Sequence, residues 1–141
     1  MRASRSVPRR LHLQVEADRH CQRGSTSIQM VVLMPALFAL MFMGMQAPLI
    51  YHARTIAIAA AEEGARAAGA QGGSVSGGTA AAAAFVASAG GGDVLRGVSA
   101  TGNRGAVTAT VTISGAALSV VPGWSPRITQ SATVPVERLS R

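Results

Sequence analysis

The chain has 141 residues, of which 48% are hydrophobic, 4% aromatic and 13% charged, against roughly 25% charged in an ordinary soluble domain. Twenty-seven alanines and 16 glycines leave few large side chains with which to fill a core, and the length supports one small domain. All 13 basic residues are arginine against six acids, for a net charge of +7, and a lone Cys21 forms no internal bridge. These figures exclude a large enzyme and a disulfide-stapled secreted domain, and point to a small membrane-associated protein.

The first 24 residues carry Arg2, Arg5, Arg9, Arg10, Arg19 and Arg23, opposed by Glu16 and Asp18. The seven later arginines are spread over nearly ninety residues, with Arg54 and Arg66 nearest the apolar block. By the positive-inside rule this places the N-terminus in the cytoplasm and exports the C-terminal part. The leader could also touch anionic lipid or nucleic acid, but holding the N-terminus inside is the simpler role, and no nucleic-acid partner is expected.

No residue from 24 to 53 carries a formal charge, and the stretch 30–50 is apolar on every helical face apart from Gln46. About 20 helical residues cross a bilayer core of roughly 30 Å, so one membrane span is expected. Pro35 and Pro48 fit that reading, because membrane helices tolerate proline. A cleaved signal peptide is the rival, but its apolar core of roughly 7–15 residues ends at a small-residue cut site. Here the helix continues instead.

Tyr51 and His52 stand at the expected membrane interface. The following residues 54–69 are strong helix formers, with Glu62 and Arg66 spaced for an i,i+4 pair on a solvated face. Ala57, Ala60, Ala61, Gly64, Ala65 and Ala68 allow close helix approach, although alanine is common throughout. Residues 71–79 have linker composition, and Thr79 is the expected cap of a short helix over 80–89, stopped by Gly90, Gly91 and Gly92.

From Asp93 onward the period changes to two. In 106–114, Val107, Ala109, Val111 and Ile113 alternate with Thr108, Thr110, Thr112 and Ser114, the pattern of a half-buried strand. Residues 101–105 have turn chemistry, which makes 94–100 a hairpin partner. A third strand is expected over 127–136, with Ile128, Ala132, Val134 and Val136 inward and Pro135 at an edge or end. Trp124, in the turn before it, reads as a cap on the small sheet rather than a ligand platform. The expected fold is α+β: a long N-terminal helix with one membrane span, a short second helix and an antiparallel sheet of about three strands.

No active site emerges. His12, His20, Cys21 and His52 fit no zinc spacing. The close pairs Glu16/Asp18 and Glu62/Glu63 lie in solvated segments, the serines lack a nucleophile elbow, and the glycine clusters lack the context of a phosphate loop. The chain is read as a non-enzyme without cofactor or metal.

One arrangement is more specific than the composition. Arg23-Gly24 is followed by Ser25-Thr26-Ser27-Ile28-Gln29 and then by the apolar helix. This resembles the leader junction of type IV pilins and pseudopilins, cut after glycine on the cytoplasmic side. With Pro35, the alanine-rich continuation around Glu62-Glu63-Gly64-Ala65-Arg66 and the ending from Val121 to Arg138, the chain resembles the TadE-like family. The resemblance implies a small single-pass subunit of tight-adherence pilus assembly, with Gly24, Ser25 and Gln29 as the processing junction. It also implies the lipid bilayer, a prepilin peptidase and other pilus-assembly subunits as partners.

The family carries glutamate at the fifth residue after the cut, where it offsets the new amine of a neighbouring subunit. Gln29 accepts a hydrogen bond but carries no charge, so cleavage and retention of the leader both stay open. The expected organisation is a cytoplasmic leader over 1–24 and a membrane helix with extracytoplasmic extension over 25–72. A linker with a short helix follows over 73–92, then an extracytoplasmic β-rich domain over 93–141. The alternative is a single-pass envelope protein whose exported sheet binds a surface polymer or protein, unrelated to pili.

Overall fold

The computed structural model describes residues 11–138, with side chains from Ser27 onward. The first ten residues of the expected leader, and the side chains of His12, His20 and Cys21, lie outside what it describes. The chain divides into two units, one ending at Met41 and one beginning at Phe42. The element order is α1 (Leu11–Gly69), α2 (Val75–Ser88), a single 3-10 turn at Gly91–Asp93, β1 (Leu95–Arg104), β2 (Thr108–Ala117) and β3 (Arg127–Pro135). The fold is α+β, as the patterning predicts.

In the first unit the described side chains belong to α1, and every one of them is solvent-exposed. In the second unit, the rest of α1 and all of α2 cover one face of a three-stranded antiparallel sheet of order β1-β2-β3. From Gln46 to Gly69 the helix rises about 35 Å at 1.5 Å per residue, matching the roughly 33 Å of a ten-residue strand. One stretch of helix therefore backs the sheet along its full length.

The face that does so is made of Ala53, Ala57, Ala60, Ala61, Ala65 and Ala68, all fully buried, with Ile56 nearly so. Small residues bring the helix backbone close to the sheet, and the larger Leu95, Val111, Ile113 and Ile128 supply the filling from the strands. Gly64 marks one of the tight points. A Cβ there would lie 2.7 Å from the Gly78 carbonyl oxygen of α2 and 2.9 Å from Val111 Cγ1.

That approach explains why α2 starts earlier than expected. Ser74, not Thr79, is the N-cap: its Oγ accepts from the Gly77 amide at 3.0 Å. Thr79 lies inside the helix and donates to the Ser76 carbonyl at 3.1 Å. Gly77 and Gly78 weaken a helix by about 1 kcal/mol each and so look like linker. Yet a Cβ on Gly78 would come within 2.6 Å of both Ala68 Cβ and the Gly64 carbonyl oxygen. Tertiary contact decides here against propensity.

The first hairpin is shifted for a similar reason. The expected turn 101–105 is largely strand: β1 runs to Arg104, and the reversal falls at 105–107, closed by the Gly105 amide on the Thr108 carbonyl at 2.8 Å. Gly102, read as a turn residue, instead sits beneath α2, where a Cβ would meet Val75 Cγ1 at 3.1 Å. A bulge between Arg96 and Ser99, with Gly97 at φ +60°, carries β1 along the sheet edge.

The C-terminus of α1 is held by the sheet. Arg104 donates to the carbonyls of Ala68 and Ala70, a cation on the negative helix end. The Glu137 amide donates to the Gly69 carbonyl at 2.9 Å. Arg66 pairs with Glu63 at 2.7 Å rather than with Glu62, on an exposed surface where the pair contributes little.

Gly64→Ala is expected to destabilise the second unit by about 1–3 kcal/mol, because the contact it makes is with backbone and outweighs the roughly 1 kcal/mol of added helix propensity. Gly44→Ala, where a Cβ meets nothing within 4 Å, is the control and should cost nothing. Denaturant melts of the two variants in detergent check the difference.

Candidate functional site

Gly24, Ser25 and Gln29, the expected processing junction, all fall within α1, and Gln29 is exposed. Gly24 and Gln29 are separated by about 7.5 Å along the axis at 1.5 Å per residue. The side chains at positions 24 and 25 lie outside the described residues.

Beyond the junction, residues 27–45 are exposed on every face of the helix. Val31 is 72% exposed, Met43 69% and Leu40 68%. Apolar side chains without a protein partner all round a helix fit lipid, and the window carries a mean hydropathy of 2.1. At roughly 28 Å for this stretch, α1 is long and apolar enough to cross a bilayer.

At Gln46 the surroundings change. Its side chain is 2% exposed, the single buried polar residue among those described. Nε2 donates to the Leu118 carbonyl at 3.1 Å, and Oε1 accepts from the Val120 amide at 2.9 Å. Ser119 Oγ lies 3.1 Å from Gln46 Oε1 and 3.1 Å from the Val121 carbonyl, and its one proton serves one of them at a time. The amide thus ties α1 to residues 118–120, the start of the connection between β2 and β3. In the sequence Gln46 is visible only as the polar exception in an apolar run; its partners lie more than seventy positions away.

The sheet face opposite the helices is a grid of hydroxyl and amide side chains. The register aligns Asn103, Thr110 and Thr133, then Thr101, Thr112 and Ser131, then Ser99, Ser114 and Thr129. Thr110 and Thr133 hydroxyls lie 2.8 Å apart, and Thr112 donates to Ser131 at 3.0 Å. At the end of the grid Arg96 and Arg127 both pair in register with Ala116, on either side of it. Between them is an open cavity of about 250 Å³, lined also by Ser114 and Thr129. Neither arginine has an ion-pair partner among the described residues.

Trp124 is 48% exposed and stands outside the apolar cluster, so it does not cap the sheet as expected. Among the described residues every carboxylate is at least partly exposed, as is His52, and no three of His, Cys, Asp or Glu gather as a metal site. Among the described residues the arrangement provides surfaces and anchors.

Gln46→Leu keeps the volume but orphans the partly buried Val120 amide and Leu118 carbonyl, at up to about 1–3 kcal/mol for each group left unpaired. Amide hydrogen exchange should show Val120 losing protection selectively, ahead of the sheet amides.

Comparison with known proteins bears on one part of the chain. No curated protein and no solved structure matches it significantly. A family model described as TadE-like protein matches residues 24–66, less than half of the chain. The match takes in the junction, the exposed apolar stretch, Gln46 and most of the alanine face, and stops before α2 and the sheet. Residues 24–66 are therefore the part of this chain that is similar to TadE-like proteins, and they include the alanine-rich continuation that carries the resemblance in the sequence.

Proposed function

We propose that the protein is a non-enzymatic component of a tight-adherence pilus or related secretion assembly, held in the cell membrane by α1. The observation that carries this reading is the TadE-like match over 24–66, on a helix whose apolar stretch is exposed on all sides. Such a surface is covered by lipid or by neighbouring helices, and association between membrane helices relies on close packing and hydrogen bonds. The arginines before Gly24 favour a cytoplasmic N-terminus, with the sheet on the opposite side.

In this reading residues 1–24 are a leader and 25–72 a membrane helix with its extension. Residues 73–92 form the linker and short helix, and 93–141 an exported β-rich domain. A prepilin peptidase would cut after Gly24 and leave a charged amine on Ser25. Gln29 would offer that amine a neutral acceptor, a weaker compensation than a carboxylate for a charge leaving water. Other pilus-assembly subunits are the expected partners within the membrane.

The hydroxyl grid and the unpaired Arg96 and Arg127 favour a second reading, in which the sheet binds a surface polymer or protein outside any pilus. Co-purification separates the two: a pilus component should bring platform and secretion-ATPase subunits with it, and a polymer binder should not.

The N-terminal mass of the protein from its host's membranes tests the processing step. A mature chain beginning at Ser25, abolished by replacing Gly24 with a bulky residue, is the expected result. Identical masses for the two chains would count against cleavage.

A further inference from the structure

The second unit has a definite end, where Gln46 meets the β2–β3 connection. That connection, 118–126, is closed at its base by the Ala117 amide on the Pro126 carbonyl at 2.9 Å and turns at Gly123, with φ +78°. It carries Val120, Val121, Pro122 and Trp124, and no charged residue occurs anywhere from 105 to 126. Pro122 and Trp124 are exposed, Trp124 at 48%. On α1, the turn just before Gln46 presents Phe42, Met43 and Met45, also exposed. The three hydrogen-bonding contacts of Gln46 hold the start of the connection, Leu118 to Val120, against α1 one residue past that turn.

We infer that the 118–126 connection is a second membrane contact, a loop whose Trp124 lies in the interfacial layer of the same bilayer that α1 crosses. This rests on reading residues 27–45 as the span. Two features support it. An indole with an apolar body and one N–H donor is best placed where hydrocarbon meets headgroups, and a charge-free loop enters that layer without stripping water from an ion. At the same end of the sheet Arg96 and Arg127 flank Ala116 without acidic partners among the described residues, and lipid phosphates supply the anions to which such guanidinium groups donate. The contact holds for either orientation of the helix, because Gln46 follows the apolar stretch directly. It fixes the sheet on the membrane surface at a second point and so restricts rotation of the domain about the helix axis.

Trp124 is the only tryptophan, so the unmodified full chain reports from one position. The protein is reconstituted in phosphatidylcholine vesicles containing lipid brominated either near the headgroup end of the acyl chain or near its methyl end. The expected result is that shallow bromine removes most of the Trp124 emission, deep bromine removes far less, and aqueous acrylamide reaches it poorly. A parallel chain carrying Trp124→Phe and Leu37→Trp places the probe within the apolar stretch and should be quenched by deep bromine. If that probe responds while Trp124 is quenched by acrylamide alone, or is quenched more by deep than by shallow bromine, the loop proposal is overturned and the span stands. If neither probe responds to brominated lipid, the span reading fails and the loop contact with it.

Discussion

The side-chain amide of Gln46 marks the place where one continuous helix changes its surroundings. Before it, every described side chain of α1 is exposed and nearly all are apolar; after it, one face is packed against protein. A buried amide is costly without partners, by about 1–3 kcal/mol on protein scales, so Gln46 must meet complementary groups wherever it is buried. The connection after β2 provides them, through the Leu118 carbonyl, the Ser119 hydroxyl and the Val120 amide. Apolar packing alone would allow the sheet to slide along an alanine-rich helix; a specific hydrogen-bonded group does not.

The rest of the unit follows from that fixed point and from a second one at the far end. Arg104 on the last carbonyls of α1, with the Glu137 amide on Gly69, anchors the helix terminus to the edges of the sheet. Between these anchors the helix needs only a narrow, smooth face. Alanine and glycine supply it, and the bulk of the core comes from Leu95, Val111, Ile113 and Ile128. A composition poor in aromatic residues thus still builds a packed interface, because close backbone approach replaces side-chain volume. The same economy explains glycines in otherwise unfavourable places: Gly64 and Gly78 let two helices touch, and Gly102 lets α2 lie on β1.

Function, on this view, lies in surfaces. The helices take one face of the sheet, leaving the grid of threonine and serine side chains outward and two unpaired arginines at its end. The stretch that matches the TadE-like model carries Gly24, an apolar stretch and an alanine face in sequence. The alanine face, which could equally serve helix–helix association in a membrane, is occupied by the protein's own sheet and second helix. The stretch before Gln46 is the part of α1 that the rest of the protein leaves exposed on all sides.

Much of this was legible in the residues themselves. Uncharged composition over 24–53 predicts a helix long enough to span, because lipid requires every backbone group to be satisfied internally. Strict alternation in β2 and β3 predicts which side chains face inward, because a strand's period is two. Ala109, Val111, Ile113 and Ile128 are buried as that pattern requires, although Val107, beyond the strand's start, is exposed. Tertiary structure decided the rest. Glycines at 78 and 102 read as linker or turn because local propensity is all a stretch of sequence contains, whereas close contacts with α1 and α2 put them in a helix and a strand. The pairing of Arg96 and Arg127 across Ala116 depends on a bulge that shifts register, and the partners of Gln46 depend on a chain reversal far downstream. Local chemistry specified the elements; which faces meet was settled by contacts between residues distant in the chain.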